Sequence, residues 1–405
     1  MKYLFVALSA KGYGETILGI RVARELHEAG HECNFLVHES ALPLLVDTPF
    51  RHMKVTDHAL GLLKAILLTR VQKSKPDSVI LSDYFTTDLA FERARLDPSF
   101  LTQLDVPVGM IDTWDMRRSG TTIDVFGNGR RDFDDWSALL DYRLIPVPIA
   151  PPGDTKDKYC TLPVPENVHK KVRRHIRRDL GIPPDEPVVL FCTAAWQHAR
   201  FTSDHGNRLA RLLPVLIAQY VARLDGPVHL VHVGPAAFPA ELGDRYHWLP
   251  SLPPDKFALL LASMDLLVSA NVSATTIARA LVADVPSVVL TNTTALTDLG
   301  ELGDRQVSDT LAAWIREAAP IYPFYMWPVG YQVFLQPLLD GNPYCDVVPL
   351  LEIFDEETVL ASLNGLLFDG DTRARHLERQ REYVDQTRQL PTAGHLVSNI
   401  ISEYV

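Results

Sequence analysis

The chain has 405 residues, 47% hydrophobic and 22% charged, ordinary globular values at a length that suits two α/β layer domains better than one. A net charge of −11 with no basic tail argues against a nucleic-acid surface as its main business. Four scattered cysteines (Cys33, Cys160, Cys192, Cys345) form no C-x-x-C pair, so neither a zinc knuckle nor a disulfide frame is expected, and a reducing, cytoplasmic compartment is the simplest.

No apolar run is long enough for a transmembrane helix, and the start of the chain lacks the basic lead and cleavage site of a signal peptide. Met1 to Leu8 instead reads as a buried strand. The loop Ser9-Ala-Lys-Gly12-Tyr13-Gly14-Glu15-Thr16 follows it. Ile17 to Ala29 is an amphipathic helix with Ile20, Ala23 and Leu26 on one face, and Cys33 to Val37 is the second strand. Glu15 can take a proton from a hydroxyl, whereas a Tyr13 of ordinary pKa is a poor base at neutral pH. A plainer role for Glu15 is favourable placement at a helix N-terminus. Further on, strands ending at Asp83 and at Asp112-Thr-Trp-Asp115 bring acids to the carboxyl edge of a sheet, the usual ligand face. Turn or N-cap roles are the alternative for these three. Residues 127–135 read as a loop over an acceptor, and four prolines between 146 and 152 mark a strand exit and a domain boundary.

Asn167 to Leu180 is rich in Lys and Arg and reads as a solvated helix leading into the second half. Val188 begins a strand that runs to small residues at Thr193-Ala-Ala, which allow close approach to a ligand. A helix at Leu209 to Leu224 and a strand at Pro227 to Val233 come next. Tyr246-His-Trp248-Leu249-Pro then offers an aromatic wall. The stretch 262–290 carries the most information. Asp265-Leu-Leu-Val-Ser is a strand, Asn271 to Thr275 a small polar turn, Thr275 to Val282 a helix, and Ser287 to Leu290 a further strand. Backbone N–H groups opening such a helix have no intrahelical partner and suit a diphosphate, with Thr275 and Thr276 adding hydroxyls. An ordinary βαβ unit with a polar turn is the alternative. Aromatic segments at 322–330 and 341–344, a helix at Glu356 to Leu367 and a helical tail from Arg373 to Glu403 complete the chain.

The stretch 246–290 resembles the donor-site segment of GT-B glycosyltransferases, the class that includes UDP-glycosyltransferases and the lipid II enzyme MurG. The resemblance rests on Leu259-Leu-Leu-Ala-Ser-Met-Asp265, Thr276-Ile-Ala-Arg279-Ala-Leu and Asp284-Val-Pro286. Residues 1–37 are similar to the first βαβ unit of the same class. The resemblance implies an α/β protein of two Rossmann-like domains facing a cleft, with a C-terminal helix crossing back to the first. It implies an acceptor domain at 1–150, a linker at 151–166, a donor domain at 167–372 and a returning tail at 373–405. The implied donor-binding set is Gly12, Gly14, Thr193, Trp248, Leu249, Asn271, Ser273, Thr275, Thr276, Arg279 and Asp298, with Leu249 meeting the base edge through its backbone. Glu15, Tyr13 and Asp112 are the implied catalytic candidates. Two departures from the family pattern stand out: Asn271-Val-Ser replaces His-Gly-Gly, and Arg279 replaces the Glu that holds the donor ribose.

The expected activity is transfer of a sugar from a nucleotide diphosphate sugar to a small-molecule acceptor, in the manner of secondary-metabolite enzymes. The nucleotide sugar is a co-substrate, with no permanently bound cofactor. No metal is expected, because no Asp-x-Asp run is placed to hold one. A monomer or homodimer with no nucleic-acid partner fits. The competing readings are a nucleotide-sugar epimerase and a catalytically inactive GT-B homologue that binds and activates a partner.

Overall fold

The structure, a computed structural model, describes residues 1–9, 13–120, 122–124, 130–132, 136–152, 157–162, 170–194, 204–238, 242–291, 307–318 and 331–404. It forms two compact units. The first holds Met1–Ser119, Phe133–Thr161 and Gln386–Val405, and the second holds Gly120–Asp132 and Leu162–Asp385.

The first unit is built from β1 (Lys2–Ala7), α1 (Gly14–Glu28), β2 (Glu32–His38), β3 (Arg51–Val55), α2 (Leu63–Ser74), β4 (Ser78–Leu81), α3 (Tyr84–Ala94) and β5 (Val108–Ile111). After β6 (Thr122–Asp124) and β7 (Arg130–Asp132), it resumes with β8 (Tyr142–Pro146) and β9 (Lys158–Tyr159). The sheet order is β3-β2-β1-β4-β5-β8-β9, parallel throughout. Tyr3 to Ala7 and Ser78 to Leu81 are wholly buried. Helices cover both faces of such a sheet, so its inner strands are continuous apolar runs rather than alternating ones. The chain winds outward from β1 through β2 to β3, then returns to place β4 on the other side of β1. The carboxyl ends of β1 and β4 therefore flank a topological switch point, where open α/β sheets bind ligands.

Helix α1 starts at Gly14, earlier than its apolar periodicity indicates, and this brings Glu15 into its first turn. Gly19 lets it lie close on the end of β4, since a Cβ there would come within 2.6 Å of Ser82 Oγ. Glycine at that helical position costs about 0.5–1 kcal/mol of helix propensity relative to Ala, offset by the close packing it permits.

Two boundaries differ from the sequence reading. Strand β9 lies inside the segment read as linker and extends the first sheet beyond the prolines. The antiparallel β6–β7 hairpin belongs with the second unit, where the Gly120 N–H donates to the Phe334 carbonyl at 2.7 Å.

The second unit contains α4 (Lys170–Asp179), β10 (Val188–Cys192), α5 (Asp204–Ala222), β11 (His229–Val233), β12 (Tyr246–Leu249), α6 (Pro254–Leu261), β13 (Leu266–Ser269), α7 (Thr275–Val282) and β14 (Ser287–Thr291). It continues with α8 (Asp309–Ala318), α9 (Tyr331–Leu339), α10 (Pro343–Val347), β15 (Leu350–Glu352) and α11 (Glu356–Phe368). Its parallel sheet runs β12-β11-β10-β13-β14-β15, with a switch point between β10 and β13. Helix α4 is less solvated than its composition predicts. Arg174, His175 and Arg178 are exposed, but Arg177 is buried, pairing with Asp265 and donating to the carbonyls of Ser263, Pro184 and Glu186.

The helical C-terminal tail is made of two helices, α12 (Gly370–Thr387) and α13 (Ala393–Tyr404). Pro391 lies in the break, where it has no N–H to give to a helix. Most of α12 belongs to the second unit, while α13 packs on α1 in the first. Gly394 N–H donates to Glu25 Oε2 at 2.8 Å, and His31 meets Ser398 at 3.2 Å.

Candidate functional site

The turn after β13 is closed by its own side chains. Asn271 Oδ1 accepts from the Ser273 N–H at 3.1 Å and from its hydroxyl at 2.8 Å. Ser269 Oγ accepts from the Asn271 N–H at 3.1 Å. Buried Tyr344 braces the turn from outside by donating to the Val272 carbonyl at 2.8 Å. These bonds fix the entry to α7. Its N-cap residue is Ala274, which has no side-chain oxygen, so the first-turn N–H groups receive no side-chain cap. Thr275 is exposed and Thr276 half-buried at that opening. Positive dipole ends of this kind attract phosphate.

The strands beside it carry a buried polar chain. Thr193 Oγ1 lies 2.8 Å from His232 Nε2, and His232 Nδ1 lies 3.0 Å from the Tyr246 hydroxyl. Gly234 is required here, because a Cβ would come within 2.1 Å of Thr193 Oγ1. The Thr193 hydroxyl thus works inside the fold rather than standing free beside the strand end. Trp248 donates from Nε1 to the Gly234 carbonyl at 3.0 Å while 41% of the residue stays exposed. Its ring is therefore pinned at one edge and open on its surface. The Leu249 carbonyl accepts the Gly234 N–H at 3.0 Å. Arg279 places its guanidinium 5.9 Å from the centre of the Phe257 ring on α6, a cation–π contact.

In the first unit, Tyr13 is exposed at the N-cap of α1 and Gly14 opens the helix. Glu15 follows, with its Oε2 shielded from solvent, and burial pushes its pKa up. Asp83, at the end of β4, caps α3 by accepting the Thr86 N–H at 2.6 Å. Burial raises its pKa well above the usual carboxylate range, and the neighbouring Glu15 charge adds to the rise. Asp112, at the end of β5, is fully buried but engaged: Arg143 donates to Oδ2 at 2.8 Å, and the Met116 N–H reaches both oxygens at 3.0 and 3.2 Å. Burial still pushes it up to about 6. Arg143 also reaches Asp115 at 3.2 Å, where the backbone is left-handed at φ +41°.

Glu15, Asp83 and Asp112 thus follow three adjacent strands of one sheet, β1, β4 and β5. Thr193 and the 271–276 turn follow β10 and β13 of the other. Gly12 and Asp298 lie outside the described residues, as does the aromatic stretch 322–330. Arg143 and His232 were not singled out from the sequence. An Arg inside the apolar run Tyr142–Pro146 was the signal available for the first.

The family whose profile matches the chain, over residues 22–404, is described as a family of unknown function, DUF6365. The chain belongs to this family. Proteins of curated function yield no sequence match. Among solved structures, the chain is similar to the spinosyn forosaminyltransferase SpnP, with 16% identity and a TM-score of 0.57 over 99% of this chain and 98% of that one. It is similar to the glycosyltransferase VinC, solved in complex with dTDP, with 14% identity and a TM-score of 0.54 over 100% of both chains. It is also similar to the glycosyltransferase SnogD from Streptomyces nogalater, with 14% identity and a TM-score of 0.52 over 99% of both. These likenesses establish the fold as GT-B, with this member of the family divergent in sequence. Among the described residues, no helix is long and apolar enough to cross a membrane.

Proposed function

We propose that the chain is a glycosyltransferase that moves a sugar from a nucleotide diphosphate sugar to a small-molecule acceptor, without a metal ion, in secondary-metabolite chemistry. The observation that carries this reading is the start of α7: a helix opening at the β10/β13 switch point with no side-chain cap and two threonines. The α7 N–H groups and the hydroxyls of Thr275 and Thr276 bind the diphosphate and stabilise the charge it gains on leaving. The exposed face of Trp248 stacks the nucleobase. Glu15 is the general base. The acceptor oxygen bonds to the anomeric carbon, the bond from that carbon to the diphosphate breaks with its electron pair on the diphosphate, and the acceptor proton passes to Glu15.

The test is a thermal-shift screen with UDP, dTDP, GDP and their sugars, because a ligand bound only to the folded state raises Tm by mass action. The expected result is a rise with a nucleoside diphosphate that the Thr275→Val/Thr276→Val variant loses. Loss of hydrogen bonds to a charged group weakens binding by about 1.5–3 kcal/mol. Equal affinity of the variant in a calorimetric titration, with its fold intact, removes α7 from the site. Binding without nucleoside diphosphate release from any sugar donor favours the inactive-partner reading, which the Arg279–Phe257 contact suits because no carboxylate stands there for a ribose.

A further inference from the structure

Three guanidinium groups converge on one acid at the amino edge of the second sheet. Asp265, just before β13, accepts from Arg173 and Arg177 of α4, one on each carboxylate oxygen, and from the Val188 N–H at 2.8 Å. Arg373, near the start of α12, donates from Nη1 to the Asp265 carbonyl at 2.8 Å and to the Leu366 carbonyl at 3.0 Å. Glu186, whose carbonyl Arg177 also meets, gives its carboxylate to His229 at 2.7 Å. Among the described residues, three positive charges thus share the single carboxylate of Asp265. Arg177 is buried and bonds through Nε and both terminal nitrogens. Arg173 and Arg373 are half-buried and bond only from Nη2 and only from Nη1. A guanidinium has five N–H donors, so most of those on Arg173 and Arg373 make no hydrogen bond to a described residue. Burial holds the Arg373 pKa below its ordinary value, and Arg173 and Arg177 add to the fall. One turn on, burial pushes the His376 pKa down to about 4, with Arg379 and Arg373 adding.

We propose that this cluster is a binding site for a phosphate-type oxyanion, held by Arg173 of α4 and Arg373 of α12 and separate from the donor site. A doubly charged oxyanion offsets the positive surplus that Asp265 leaves. The planar guanidinium fork matches phosphate oxygens with parallel, charge-assisted hydrogen bonds. The ligand ties α4 to α12 at the point where both already meet Asp265. The site lies at the amino end of β13, whereas the turn into α7 leaves the carboxyl end of that strand. The four residues Leu266–Ser269 span about 13 Å, so both sites can be filled at once. The inference does not depend on the transferase reading.

The test follows Tm against inorganic phosphate, with chloride withdrawn to hold ionic strength constant. The expected result is a saturable rise, as for a ligand bound only to the folded state. Arg173→Gln weakens the apparent affinity about tenfold or more, the effect of losing hydrogen bonds to a charged group. Asp265 keeps Arg177 and the Val188 N–H in that variant, so the fold is retained. Arg173→Lys, which keeps the charge and loses the fork, gives an intermediate affinity. Arg174→Gln, exposed on the same helix, leaves affinity unchanged. No saturable rise in the wild type, or equal affinity in the wild type, Arg173→Gln and Arg173→Lys, overturns the site. Phosphate can also enter at the start of α7, and Thr275→Val/Thr276→Val separates the two. A rise lost in that variant and kept in Arg173→Gln overturns the arginine site and supports the donor reading. A rise kept there and lost in Arg173→Gln supports the arginine site whether or not any sugar donor is turned over. Glucose 1-phosphate binding as tightly as inorganic phosphate identifies a phosphate monoester as the ligand, and weaker binding identifies free phosphate.

Discussion

Gln380, wholly buried on α12, donates from Nε2 to the carbonyl of Leu281 at 2.8 Å and approaches that of Ala280 at 3.5 Å. The Leu281 carbonyl lies at the end of α7, where the helix's own hydrogen bonds run out, whereas that of Ala280 also accepts the Val285 N–H at 3.0 Å. Two residues of α12 therefore anchor the far end of the helix that opens at the proposed phosphate site, because Arg381 also pairs with Asp284 just beyond it at 2.9 and 3.0 Å.

Gln380→Ala is expected to destabilise the protein by about 1–3 kcal/mol, the cost of leaving a buried carbonyl unsatisfied. Urea denaturation gives the number. Nucleotide affinity should fall in the same variant, because the helix start is set by its end. Arg381→Ala removes an exposed pair and should change stability by less than about 1 kcal/mol. Equal losses in the two variants would mean that α7 is held elsewhere.

Glu15→Gln separates base from cap. As the base, its loss lowers turnover by about a hundredfold or more while donor affinity holds. Stability gives a second readout with a definite sign. Burial raises the folded pKa of Glu15, so its contribution is present below the unfolded value of about 4.3 and is lost as pH rises through the folded value. Glutamine, neutral throughout, escapes that loss and should unfold at a Tm no lower than the wild type at pH 8. A cap or dipole role predicts the reverse, a lower Tm at pH 8 with turnover falling in proportion.

The pairing of Arg143 with Asp112 was out of reach of sequence reasoning for a plain reason. They sit on neighbouring strands far apart in the chain, and only the β5–β8 register brings them together. The same holds for Gln380 against α7. The spans of β13, α7 and β14 were legible because apolar runs and helical periodicity are local signals. The length of the first unit was not, since β9 is two residues long and is a strand only by pairing with β8. At the proposed donor site, polar turn residues were legible, but which atoms remain free was not. Thr193 is occupied by His232, and Asn271 Oδ1 by Ser273.

Arg143→Leu should expose the cost of leaving Asp112 buried without its partner. Breaking a buried pair costs about 3–5 kcal/mol when the remaining group stays charged. Asp112 already has a folded pKa raised by burial to about 6, so its contribution is lost as pH climbs from about 4 through about 6. Removing Arg143 raises that pKa further, and the carboxyl then stays protonated over a wider range. The loss in the variant should therefore be small near pH 5 and grow toward pH 8. Adding Asp112→Asn should restore most of it at pH 8. A penalty independent of pH would assign Arg143 a packing role.

Arg279 is the sharpest departure from the family pattern, and its position divides two outcomes. It lies in the second turn of α7, and its guanidinium rests over Phe257 of α6. A guanidinium only donates, so it cannot accept from both ribose hydroxyls as a carboxylate does. From this helix it serves either as a phosphate or acid contact on the ligand or as a cation–π tie between two helices, worth about 0.5–2 kcal/mol. Arg279→Lys and Arg279→Ala distinguish the two. Loss of the tie lowers Tm in Ala and leaves nucleotide affinity unchanged, and Phe257→Leu reproduces the effect. A ligand contact instead weakens nucleotide binding about tenfold or more in Ala, with Tm of the free protein little changed. We expect the ligand contact, and Arg279→Glu should then abolish binding of the true donor or convert the site to ordinary UDP-sugars. Titration of UDP and dTDP against Arg279→Ala and Arg279→Glu decides it, because unchanged affinity for both in both variants turns the Arg279 side chain away from the donor.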